Sequence, residues 1–60
     1  MKLYFVHGYV NRFPIGGWFN AKTAVEAMEM ACNEFNGIYR MTVYEEQGKD
    51  LVKVCGSGLF

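Results

Sequence analysis

TAVEAMEMACNEFNG, residues Thr23 to Gly37, combines a start signal, a helical period and a stop signal in one stretch. Thr23 followed three residues later by Glu26 has the form of a capping box. In such a box the hydroxyl takes a free N–H of the first turn and the glutamate reaches back to the cap residue. At about 100° per residue, Ala24, Met28, Ala31 and Phe35 share a narrow stripe flanked by Ala27, Val25 and Cys32, while Glu26, Glu29 and Asn33 lie opposite. Asn36-Gly37 supplies residues that tolerate left-handed backbone just past a helix end. One amphipathic helix is expected here, and its alanines require a sheet at close range. Met30 falls in the polar arc and reads as an exposed methionine.

On the N-terminal side, KLYFVHGYV (Lys2 to Val10) is rich in β-branched and aromatic residues and reads as a strand. Leu3, Phe5, His7 and Tyr9 share one face; Tyr4, Val6, Gly8 and Val10 share the other. Both faces are apolar, as in a strand covered on both sides. Gly8 points the second set at the helix, because a missing side chain permits close approach. NRFPIGG (Asn11 to Gly17) reads as a connection, with Pro14 at the second position of a type I turn and Phe13 and Ile15 folding back under the sheet. A short strand, Trp18 to Ala21, follows. Gly16-Gly17 lacks the helix N-terminus that a phosphate-binding loop needs directly after its glycines.

Beyond the helix, Ile38 to Glu46 and Asp50 to Gly56 read as two strands joined at Gln47-Gly48. That turn sets Val43 against Val52 and Met41 against Val54 on the core side. It sets Tyr44 against Leu51, Thr42 against Lys53 and Arg40 against Cys55 on the other. Leu59-Phe60 docks or frays. The expected fold class is α+β: a single antiparallel β-sheet in the order ββαββ, one helix packed across one face, and residues 1–60 forming one small domain.

Lys and Arg balance Asp and Glu to a formal net charge of zero, which lowers the case for a nucleic-acid binder held by excess positive charge. A single His and two separated Cys lack the spacing of a metal site, and no cofactor is expected. Cys32 and Cys55 fall on opposite sides of the sheet, so two free thiols in a reducing compartment are expected. With neither a secretory signal nor an apolar run long enough to span a bilayer, a soluble cytoplasmic protein without membrane contact is expected.

With a helix on one side, the other side collects Phe5, His7, Tyr9, Arg40, Tyr44, Leu51 and Lys53, together with Leu3 and Thr42. Such a patch marks an interface. His7 is the one candidate general base, but no acid is expected on this face to orient it, and catalysis is not expected. The function read from these residues is a small non-catalytic protein-binding or inhibitor module, of the kind phages and mobile elements encode. The alternative is a single-stranded nucleic-acid binder, stacking bases on the aromatic rings and holding phosphates with Arg40 and Lys53. A chain near 60 residues buries only about 60% of its unfolded surface, so a homodimer through this face is expected as well.

Overall fold

The computed structural model describes residues 1–56, with side chains up to residue 54. Strand β1 (Lys2–Val10) is followed by β2 (Phe13–Ala21), helix α1 (Ala24–Glu34), β3 (Tyr39–Gln47) and β4 (Asp50–Gly56). All pairings are antiparallel in one sheet of order β2-β1-β3-β4. This is the expected ββαββ layout. β1 is a central strand, but only its Tyr4, Val6 and Gly8 face is buried; Phe5, His7 and Tyr9 on the other face are half-buried, so the expected cover on both sides is met on one. The orientation expected for the Cys55 side chain, and the docking of Leu59-Phe60, lie outside the described residues.

Thr23 caps α1, its hydroxyl oxygen accepting the Glu26 N–H at 3.1 Å. The returning carboxylate of Glu26 accepts the N–H of Lys22 at 3.4 Å, one residue before the cap. At the other end the Phe35 N–H donates to the Ala31 carbonyl at 2.8 Å, and Gly37 takes φ +85°. Ala27 and Ala31 have no exposed surface and pack with Tyr4, Val6, Ala21, Ile38, Met41 and Val43.

Three expectations about this core are corrected. Met30 is half-buried against it, whereas Val25 and Cys32 are exposed beside a groove of about 550 Å³ that Met28 and Met41 also line. The helix reaches β4 least of the four strands. Val52 and Val54, expected in the core, therefore stay 39% and 41% exposed. Gly8 does lie on the helix side, but a Cβ there would stand 2.7 Å from Ile38 Cγ1 and 3.0 Å from the Tyr39 carbonyl oxygen. Ile38, just beyond the helix, needs the empty position.

Both hairpins also differ from expectation. β1 and β2 are joined by Asn11-Arg12 alone, at φ 51° and 69°, the positive values that a type I′ turn requires at both central positions. Pro14 and Gly16-Gly17 then belong to a nine-residue strand. Proline is admissible because β2 is an edge and need not donate on its open side. Phe13, expected to fold back, remains exposed, while Ile15 packs against the core. In the second hairpin Gln47 pairs with Asp50, so the turn is Gly48-Lys49; from the turn to Tyr44–Lys53 each pair slides by one residue on both strands, and a register shift then sets Val43 against Cys55 and Thr42 against Gly56. Face assignments from Asp50 to Lys53 survive that slide, because a residue's side depends on parity.

Arg12 and Arg40 both sit at positive φ, 69° and 53°. L-residues with a Cβ pay about 1–2 kcal/mol for that region. Arg12→Gly and Arg40→Gly should each therefore raise unfolding stability, by up to about 1 kcal/mol once the extra freedom of the glycine-containing unfolded chain is subtracted. Gly8→Ala should cost about 1–3 kcal/mol by overpacking. Urea titration reads all three; a stable Gly8→Ala would show that Ile38 is not held against β1.

Candidate binding face

On the side away from the helix, register aligns an aromatic row across three strands. Phe5 of β1 stands opposite Trp18 of β2 and Tyr44 of β3. The ring centroids are 5.1 Å apart for Phe5 and Trp18 and 6.4 Å for Phe5 and Tyr44, both pairs tilted, within the range of favourable ring pairs. The Phe5 ring also covers Gly16, where a Cβ would stand 2.6 Å from Phe5 Cζ. An aromatic laid over a strand glycine restores the contact that the missing side chain gives up. Trp18 remains 50% exposed and Leu51 47%. Phe5, His7, Tyr44 and Leu51 line a shallow cleft of about 360 Å³, and Lys53 stands opposite Tyr44.

A second ring pair lies farther along β1. His7 meets Tyr9 edge-on at 5.4 Å, and Tyr9 lies 6.1 Å from Tyr39. Tyr39 reaches this side through a register shift: His7 pairs with Thr42 but Tyr9 with Tyr39, so Arg40 and Met41 together oppose Gly8. The positive φ of Arg40 makes the bulge. The Tyr39 hydroxyl oxygen accepts the Arg12 N–H at 3.2 Å. Tyr9, Arg12, Tyr39 and Arg40 then line a cleft of about 400 Å³ at this end of the face.

The residues expected on this face fall into two groups. Phe5, His7, Tyr44 and Leu51 share one cleft, with Lys53 beside it; Tyr9 and Arg40 share the other. Trp18, Tyr39 and Arg12 were not expected there. Strict alternation back from Arg40 sends Tyr39 to the helix side, and only the bulge reverses it. Placing Trp18 requires the β1–β2 register, which the two-residue turn sets. Asn11, a residue enriched at positive φ, was the signal for that turn.

Charge is distributed unevenly around the sheet. Glu26, Glu29 and Glu34 lie on α1, and Glu45, opposite the buried Tyr4, is paired with Lys2 at 2.8 Å. Glu46 pairs with Leu51 and so shares the aromatic face by register, correcting the expectation that this face has no acid. Arg12 and Arg40 have no ion-pair partner among the described residues. Cys32 is a free, exposed thiol 3.9 Å from the Met41 sulfur, on the helix side. Among the described residues no group of His, Cys, Asp and Glu could hold a metal ion, and no helix is long and apolar enough to cross a membrane.

No protein-family model matches this chain, and neither a curated protein nor a solved structure matches it.

The Lys2 hydrogen bond holds the Glu45 carboxyl below its ordinary 4.5, and the same bond raises Lys2 above 10.5. A depressed carboxyl contributes stability above 4.5 that is lost as pH falls through its folded value. A raised amine contributes stability below 10.5 that is lost as pH rises through its folded value. Denaturant midpoints of the wild type and Glu45→Gln should therefore differ at neutral pH and converge in acid. A gap unchanged in acid would show that the pair does not act through charge.

Proposed function

We propose that this chain is a non-catalytic protein-interaction module whose outer sheet face is its contact surface. The observation supporting this most directly is the Trp18–Phe5–Tyr44 row, with Trp18 half exposed at one end and Leu51 near the other. Among the described residues, no element covers it. Tyr, Trp and Arg are the side chains that most often dominate protein interfaces, and this face presents all three.

Phe5 is already held by Trp18, Tyr44 and Gly16, so a partner meets a surface that loses little side-chain freedom on binding. His7 contributes an edge-on ring to Tyr9, and no hydrogen bond or ion pair joins it to a carboxylate among the described residues. Its place in this reading is as part of the contact surface. The expected partner is a protein: a second copy of the chain or a foreign one.

A second reading, binding of single-stranded nucleic acid, draws on the placement of charge. Arg12, Arg40 and Lys53 border the aromatic face, and Glu46 is its one acid by register. Stacking on aromatic rings beside cations is how such strands are held.

The chain immobilised in host lysate should retain a protein that Trp18→Ala and Phe5→Ala release and that Lys22→Ala does not. Equal retention by all three would remove the face from the interaction. In parallel, fluorescence anisotropy with oligo-dT at low salt tests the second reading. Affinity that falls steeply with salt and with Arg40→Ala would support it, and no binding at low salt would dismiss it.

A further inference from the structure

The geometry points to a second copy of this chain as the occupant of the outer face, stacked so that Glu46 of each copy enters the Arg12–Arg40 cleft of the other. This rests on the protein-interaction reading and names its partner. Three features of the face carry it.

First, the face carries arginines at one end and an acid at the other, with the aromatic rows, His7, Thr42 and Lys53 between them. The cleft lined by Tyr9, Arg12, Tyr39 and Arg40 lies at one end, and Glu46, beside Leu51, lies at the other. Arg40 and Glu46 are on the same strand, six residues apart, or about 20 Å at the rise of an extended chain. Second, neither arginine has a carboxylate partner within its own chain, and Glu46 has no cation partner, among the described residues. Third, both arginines occupy left-handed backbone, a conformation glycine takes more readily. Strained residues that converge on one cleft are an observation from which a role can be inferred.

A two-fold axis in the interface plane, perpendicular to the strands and passing over Val43, satisfies all three. It lays β3 antiparallel over β3 of the second copy. Positions at equal ladder distance from Val43 then face each other: Glu46, three pairs from the axis, meets the Tyr9–Tyr39 level of the opposite cleft, with Arg40, which the bulge sets level with Gly8, one pair nearer the axis. Phe5 and Tyr44, one step to one side of the axis, meet the level of His7 and Thr42, one step to the other. Trp18 meets the level of Gly16, which has no side chain of its own. An axis parallel to the strands would instead bring arginine over arginine, and opposed like charges disfavour it. Sheets stacked face to face keep their strands within about 30° of alignment, which this arrangement permits. A standard interface of about 800 Å² per partner would take about a fifth of the 4217 Å² surface.

The test is a charge exchange read by sedimentation velocity at micromolar concentrations, with a thermal melt of each variant as the check on folding. The wild type should be a dimer that weakens with salt. Arg40→Glu and Glu46→Arg should each raise the dissociation constant by about tenfold or more. The double variant, Arg40→Glu with Glu46→Arg, should return it close to the wild-type value. Arg40→Gly should weaken the dimer while melting no lower than the wild type, which separates a lost contact from a lost fold.

A wild-type monomer, single variants that dimerise normally, or a double variant no tighter than the singles would each overturn the inference. It and the parent reading fail separately. A monomer that still retains a foreign protein through Trp18 and Phe5 overturns only the choice of partner. A dimer indifferent to Trp18→Ala, Phe5→Ala and both charge reversals overturns the outer face as the contact surface as well.

Discussion

Ala27 and Ala31 rest directly on the sheet, with no exposed surface, and the close approach they permit is the constraint from which the other features follow. A helix of eleven residues held at that distance closes a core around Val6, Met41 and Val43. Its width is about 10–12 Å with side chains, whereas four strands at about 4.8 Å spacing need more cover than that. The helix lies mainly over β1, β2 and β3, and β4 is left with a half-exposed Val52 on the helix side.

The other side of the sheet receives no helix, so its side chains cover one another. Phe5 leans between Trp18 and Tyr44 and shields Gly16; Tyr9 leans on Tyr39, with His7 edge-on against it. Phe5, His7, Tyr9, Tyr39 and Tyr44 are therefore half-buried, and Trp18 and Leu51 keep the more open positions. Side chains packed against one another in this way keep little rotamer freedom. The thin core and the self-packed outer face have one cause, a single short helix on a four-stranded sheet.

Backbone strain is concentrated at one end of that face. Asn11 and Arg12 close the first hairpin and Arg40 makes the bulge in β3, all three at positive φ. These positions bring two arginines and two tyrosines to the same cleft. The bulge alone moves Tyr39 from the helix side to the aromatic side, so a single irregular residue alters both the core and the aromatic face.

The sequence by itself determined the helix, its Thr23 cap, the side that each regular strand residue faces, and the gathering of Phe5, His7, Tyr9, Tyr44, Leu51 and Lys53 on one surface. These depend on period and parity, which are local and survived the slide in the β3–β4 register between the turn and Lys53. Tertiary structure alone decided that Tyr39 completes a row and that Met30 is covered while Val52 is not; the places of Trp18 and Pro14 followed from the Asn11-Arg12 turn, whose sequence signal was Asn11. Each of those depends on a register, a bulge or the lateral position of the helix over the sheet. The β1–β2 register is local, set by the two-residue Asn11-Arg12 turn, whereas the bulge and the position of the helix are set by contacts between segments far apart in the chain.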